Sequence, residues 1–133
     1  MIPPPALPER RRIPDALRDF HRYRAVVIAA GWMAGIPGLA EPGPVISEFL
    51  ASNQNTWADE DGEYSDWIEI HNRNSDPVSL AGWALTDEAG RPTKWFLPAM
   101  TLPGDGYLLV FASGKNRRMP SRYLHTNCSL EAG

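Results

Sequence analysis

Turn-forming residues punctuate this chain closely, with thirteen prolines and eleven glycines spread over 133 residues. After the N-terminal quarter such punctuation leaves little room for long helices and favours short strands joined by turns. One core of ordinary size plus an appendage is expected, because single domains commonly run to roughly 100–150 residues. A chain with 43% hydrophobic and 22% charged residues is globular in composition, so disorder is not the default.

The net charge of −3 conceals an asymmetry. Residues 1 to 40 carry six Arg against three acids, whereas residues 41 to 133 carry seven Lys or Arg against thirteen acids. A globular part that acidic has no general electrostatic reason to seek a phosphate backbone. The single cysteine, Cys128, cannot form an internal disulfide and leaves the redox compartment open.

Residues 25 to 40 carry no charge and follow the basic stretch His21-Arg22-Tyr23-Arg24. That order is the layout of a secretory signal, with Gly38-Leu39-Ala40 as a small-residue cleavage site before Glu41. The apolar run is short of the roughly 20 residues that a membrane-spanning helix needs, and Pro37-Gly38 would end a helix. The segment ahead of it is long for a signal and includes Pro3-Pro4-Pro5 and Arg10-Arg11-Arg12. A downstream start, an uncleaved anchor and a cytosolic amphipathic helix are the alternatives. The expected organisation is a helical signal or anchor over 1–40, a linker over 41–44, and an exported domain over 45–133.

From Val45 onward the pattern is one of strands. Val45 to Ala51 is rich in β-branched and aromatic residues and ends in the polar turn Ser52-Asn53-Gln54-Asn55. In Asp66-Trp67-Ile68-Glu69-Ile70-His71 the alternation puts Asp66, Ile68 and Ile70 on one face and Trp67, Glu69 and His71 on the other. Further strands are predicted at Val78-Ser79-Leu80, Ala84 to Asp87, Thr93 to Leu97, Gly106 to Phe111 and Tyr123 to Thr126. Short strands with turn signals at roughly 8–12-residue spacing predict an all-β sandwich or barrel. Its predicted core is Phe49, Trp67, Ile68, Ile70, Trp83, Leu85, Trp95, Leu108 and Val110.

Five motifs in order carry a family resemblance: Ile46-Ser47-Glu48-Phe49, Asp66 to Asn72, Leu80 to Asp87, Pro103 to Phe111, and Leu124-His125-Thr126-Asn127, with Trp95 between the third and fourth. In these the chain resembles the lamin tail domain in its bacterial, exported version, from Pro44 to Gly133. The resemblance implies an immunoglobulin-like β-sandwich, and a binding or spacing module of a secreted or cell-surface protein. It also implies a further strand after the segment Asn127 to Gly133, so the chain is expected to be a fragment. The stretch Ala58 to Trp67 looks most like members that precede a spore-coat-kinase-like module. Cys128 stands where the family usually has a large apolar residue.

Candidate sites are few. Asp59, Asp61 and Glu63 alternate around Gly62 and could direct oxygen ligands at a calcium ion. The spacing of an EF-hand is absent, since Gly62 comes too early after Asp59 and Ile70 holds the twelfth place. A solvated turn, with Asp66 capping it, is the competing account. Lys115, Arg117 and Arg118, with Arg122 nearby, form the local basic cluster, which could touch phosphate as the lamin resemblance suggests; a solvated loop is the alternative. His21, His71 and His125 lack metal-ligand spacing, no Gly-x-Ser-x-Gly elbow occurs, and Glu48 and Glu69 would meet only through folding. No cofactor is expected apart from that calcium, and no catalytic residue is assigned. Trp57, Trp67, Trp83, Trp95, Tyr107 and Phe111 fit core packing better than ligand stacking, with Trp57, set in a polar loop, the exception to test. The protein is therefore expected to be non-catalytic, with a protein or cell-surface partner. The main alternative is the N-terminal part of a secreted kinase-like, hydrolase or nuclease enzyme, and the other a nucleic-acid-binding accessory module.

Overall fold

Two β-sheets lie one on each side of an apolar core. The computed structural model describes residues 27–30, 43–88 and 90–130. Among the described residues there are nine strands and no helix. They are β1 (Val27–Ala30), β2 (Pro44–Leu50), β3 (Trp67–Asn72), β4 (Val78–Ser79), β5 (Trp83–Thr86), β6 (Trp95–Phe96), β7 (Thr101–Leu102), β8 (Tyr107–Phe111) and β9 (Leu124–His125). One sheet has the order β2-β3-β8-β9, the other β1-β5-β6, and a two-stranded ribbon pairs β4 with β7. All pairs are antiparallel except β8 with β9. This is the immunoglobulin-like sandwich that the sequence predicts.

The register of β2 on β3 explains how an irregular strand buries the correct side chains. Ile46 faces Ile70 and Glu48 faces Glu69, so Ser47 is the extra residue of a β-bulge. The bulge resets the alternation, and Phe49 rather than Glu48 turns towards the core beside Ile68. Without it every later side chain of β2 would change faces.

The core holds Ile68, Ile70, Leu80, Leu85, Trp95, Leu97, Leu102, Val110 and Leu124, with Phe49, Trp83 and Leu108 half-buried against it. Most of the expected core is therefore in place. Trp67 is the difference. It is buried, but on the opposite face of its sheet, in a second cluster with Leu109 and Phe111 against which Leu50, Trp57 and Tyr123 pack. Strand β3 alternates as the sequence indicates, yet both of its faces are covered at Trp67.

Two further corrections concern strands. Thr101–Leu102, too short for a periodic signal, is paired with β4 through Val78 opposite Leu102. Residues 27–30 form β1, paired residue for residue with β5 from Val27 opposite Thr86 to Ala30 opposite Trp83, where a helical apolar segment was expected. A short apolar run containing Val27 and Ile28 has no helical or strand period of its own, and an available ladder decides it. The rest of 1–40, with its cleavage and anchor expectations and His21, lies outside the described residues. No described helix is long and apolar enough to cross a membrane.

The motif Pro103 to Gly106 owes its composition to close backbone approach. A Cβ on Gly104 would lie 1.9 Å from the Ser75 carbonyl oxygen, and Asp105, at φ 54°, donates its amide to Asn74 O at 2.8 Å. Asn72, fully buried, completes the joint. Its Nδ2 lies 2.8 Å from Asp76 O and 3.0 Å from Pro103 O, and its Oδ1 accepts the Asn74 amide at 3.1 Å.

Candidate functional site

The loop before β3 begins as a tight acidic turn. Asp59 Oδ1 accepts the amides of Asp61 and Glu63, each at 3.0 Å, and the Asp59 amide donates to Glu63 O at 2.8 Å. The capping expected of Asp66 is thus performed by Asp59, because a short carboxylate reaches amides two and four residues ahead of it. Asp66 instead accepts the Asn53 amide at 2.9 Å and ties down the preceding loop. Asn53 holds that loop from within: its Nδ2 donates to Trp57 O at 2.8 Å and Ser65 O at 3.0 Å, and its Oδ1 accepts the Thr56 amide.

Folding brings the basic cluster onto this turn from more than fifty residues away. Lys115 Nζ lies 2.6 Å from Asp59 Oδ2, 2.7 Å from Asp61 Oδ2 and 2.7 Å from Glu63 Oε2. Asp59, Asp61 and Glu63 do converge, with one oxygen of each within 4.8 Å of the others, and the ammonium of Lys115 sits among them. Any calcium ion there would have to displace a covalently tethered cation. Arg117 spans the neighbouring pair, with Nη1 at 2.8 Å from Glu60 Oε1 and Nη2 at 2.8 Å from Asp61 Oδ2. The acidic turn and the basic loop, two separate features in the sequence, are the halves of one ion-pair clasp.

The titration of these groups follows from the clasp. Burial pushes Asp59 up, but the Lys115 ammonium and the two amides outweigh it and leave the carboxyl below its ordinary range. Glu60 is likewise raised by burial and lowered more by His125, its own amide and Arg117. Hydrogen bonds from Arg117 and Lys115 bring Asp61 down to about 2. Burial lowers Lys115, yet its three carboxylates leave it above the ordinary lysine range.

Beneath the clasp lies an arrangement that sequence spacing could not reveal. His125, fully buried, stands between Ser113 and Glu60, with Nδ1 2.7 Å from Ser113 Oγ and Nε2 2.8 Å from Glu60 Oε2. A carboxylate can only accept, so Nε2 gives its proton to Glu60, and in the neutral ring Nδ1 accepts from the Ser113 hydroxyl. The ring stacks on Phe111 at 5.3 Å. Hydroxyl, imidazole and carboxylate stand in the order used in acyl transfer, but the imidazole is shut away from solvent.

The remaining candidates are placed as follows. Glu48 and Glu69, expected to meet only by accident, are direct cross-strand partners, because the bulge at Ser47 sets them opposite one another. The Ser47 hydroxyl donates to Glu69 Oε1 at 2.6 Å. His71 stacks face to face on Tyr107 at 4.1 Å. Arg118 lies over the Trp95 ring at 5.5 Å, and Trp95 Nε1 donates to Asn116 Oδ1 at 3.0 Å. Cys128 is buried and its thiol is pushed up by that burial. Trp57 packs on Trp67 with ring centroids 5.2 Å apart and lines a hollow of about 200 Å³ with Tyr64, Leu109, Phe111 and Tyr123.

Comparison with protein families matches residues 39–132 to the family described as Lamin Tail Domain. The chain belongs to the lamin tail domain family. No curated protein and no solved structure matches it. The match takes in the bulged β2, the β3 motif, the Gly104 joint and both halves of the clasp, whereas β1 lies upstream of it. Within this lamin tail domain His125, Ser113, Glu60, Asn53 and Asn72 are the polar residues whose partnerships sequence reasoning missed. His125 and Asn72 lay inside quoted motifs, the only signal that could have marked them.

Proposed function

We propose that this lamin tail domain is a non-catalytic binding and spacing module of an exported protein, secreted or at the cell surface, with a polypeptide or surface partner. One observation carries the reading. The groups with acid, base or nucleophile chemistry in the clasp region bond to one another, Ser113 to His125 to Glu60 to Arg117 and Lys115 to its three carboxylates, and they hold loops onto the sheet. Groups so engaged stabilise a scaffold, and the half-buried aromatic residues beside them offer contact area. The same pairing takes Lys115 and Arg117 away from a phosphate-binding role. Export is inferred from the order of a basic stretch and the uncharged run 25–40, read as an uncleaved segment because Val27–Ala30 pairs with β5.

The full chain tests this in two arms. Reporter esters, phosphoesters, glycosides and peptides should be left unturned, while immobilised chain binds polypeptide saturably. Turnover that disappears in a folded Ser113→Ala variant would overturn the non-catalytic reading. Duplex DNA binding that weakens steeply with salt and vanishes when Lys115, Arg117 and Arg118 are neutralised would replace it with the nucleic-acid reading.

A further inference from the structure

Among the described residues the outer face of the four-stranded sheet has no second sheet upon it, yet it carries an apolar row. Trp67, Leu109 and Phe111 are covered there by Trp57 and Tyr123, two residues from loops. With Leu50 they seal the row, Trp67 and Phe111 being 1% and Leu109 6% exposed, so the surface open to solvent is the covering layer itself. On one side of Tyr123 lies the hollow of about 200 Å³ beside Trp57 and Tyr64; on the other lies one of about 560 Å³ bounded by Arg118, Met119 and Arg122. Tyr123 is a wall of both. Tyr64 is 50% exposed at one end and Met119 60% exposed at the other, with Trp57 and Tyr123 half-buried between them.

The aromatic floor is held in place before any ligand arrives. Tyr123 meets Phe111 edge-on at 5.4 Å, and Trp57 leans on Trp67 at 5.2 Å with its carbonyl fixed by Asn53. The Arg122 amide closes a turn on Met119 O at 3.0 Å. A pre-arranged apolar surface loses little freedom on binding, which favours affinity.

Charge selects the occupant. At the larger hollow Glu60 is engaged by Arg117 and His125, and Arg117 is shared with Asp61. Among the described residues neither Arg118 nor Arg122 has a carboxylate partner, and residues 117 to 122 contain no acid. Two guanidinium groups without a carboxylate partner, Arg118 over the Trp95 ring and Arg122, therefore border the half-buried Tyr123 on a domain whose residues 41–133 carry six more acids than bases. We propose that this double hollow captures an extended peptide bearing a large apolar side chain flanked by carboxylates. The apolar side chain enters beside Trp57 and Tyr123, and the carboxylates accept from Arg118 and Arg122, whose fork geometry suits them. A sugar would want carboxylate or amide partners beside the ring, and Glu60, the carboxylate lining the larger hollow, already serves Arg117 and His125. A nucleic-acid strand would gain only two phosphate contacts here against the acidic body.

The inference rests on the binding reading above, and the experiment separates the two. The ¹⁵N-labelled full chain is titrated with a pool of capped heptapeptides that have Phe, Leu or Met at the centre, Asp or Glu on both sides and random outer positions. Saturable shifts are expected at the Trp57 indole, Tyr123 and Arg122. Binding should weaken at least tenfold with an Asn/Gln-flanked pool, with a Gly-centred pool, and in Arg122→Glu or Met119→Asp, both exposed positions whose melting should not change. Equal affinity for the neutral pool, or an unaffected Arg122→Glu variant, overturns the proposal. So does absence of binding at millimolar pool, or displacement of the same signals by an oligosaccharide or oligothymidylate in place of peptide. Peptide shifts confined to another face sink this site and leave the module a binder.

Discussion

At the scale of single residues, Lys115 is the position where the sequence and the fold speak most differently. In the sequence it opens a basic loop; in the fold its ammonium is the cation of a three-carboxylate cluster with Asp59 wholly buried beside it. Replacing it leaves Asp59 without its charge partner, and Lys115→Ala is expected to cost about 2–3 kcal/mol, less than a fully buried pair because Glu63 is exposed. Thermal or urea melts check this. Added calcium should leave the midpoint of the intact chain unmoved, since the ion gains nothing until the lysine leaves. The tryptophans give a second comparison. Trp67 Nε1 is buried with no hydrogen-bond partner among the described residues, whereas Trp95 Nε1 donates to Asn116. Both rings are buried, so Trp→Phe removes similar volume at each. Trp95→Phe should destabilise by roughly 1 kcal/mol more than Trp67→Phe, the net worth of a hydrogen bond, as read from paired denaturant melts.

At the scale of elements, the bulge in β2 and the joint at Gly104 carry the most consequence per residue. Inserting one glycine between Glu48 and Phe49 adds a residue that the bulge does not absorb, puts the glycine opposite Ile68 and sends Phe49 out of the core. The expected loss is about 3–5 kcal/mol, comparable to truncating a buried Phe, and circular dichroism should show a broadened, lowered melt. Ser47→Gly, which keeps the count, should be far milder. At Gly104 the obstacle is backbone rather than side chain, because the Ser75 carbonyl occupies the place of a Cβ. Gly104→Ala should therefore cost about 2–4 kcal/mol, through separation of the turn after β3 from the turn before β8, and hydrogen exchange at the Asp105 amide should report it. Both devices lie inside motifs quoted from the sequence. Their residue types were legible there, but the reasons for them were not, since a bulge and a close approach are relations between distant segments.

At the scale of the whole molecule, the clasp fixes how stability depends on pH. Asp59, Glu60 and Asp61 all titrate lower in the folded chain than their ordinary values of 3.8, 4.5 and 3.8. Carboxyls with depressed values stabilise the fold above their unfolded values, and that contribution is lost as pH falls through the folded ones. The melting midpoint should be steady near neutrality and decline from about pH 4.5 towards pH 2, where Asp61 finally protonates. Lys115, raised by the same contacts, contributes fully below 10.5 and releases its share only as pH climbs through its higher folded value. In Lys115→Ala the acid limb should be shallower, because the lysine's share in depressing Asp59 and Asp61 is gone while Arg117 and His125 still hold Asp61 and Glu60 down. A pH series of melts on the two proteins decides it.

The all-β class, the positions of most strands and most of the core could be read from the sequence, because period-two alternation, turn residues and apolar clusters are local and repeat along the chain. Ile68, Ile70, Leu85, Trp95 and Val110 were identifiable for that reason. Tertiary structure alone decided that the outer face carrying Trp67 is covered by a second cluster, that Val27–Ala30 joins β5, and that Glu48 meets Glu69. It also decided that the two candidate sites, Asp59-Asp61-Glu63 and Lys115-Arg117, neutralise each other. Charge reads in a sequence as local clusters, but its effect falls off within a few ångströms when paired, and only folding sets which clusters come that close. The acidic turn and the basic loop lie more than fifty residues apart in the chain and 2.6 Å apart at Asp59 and Lys115.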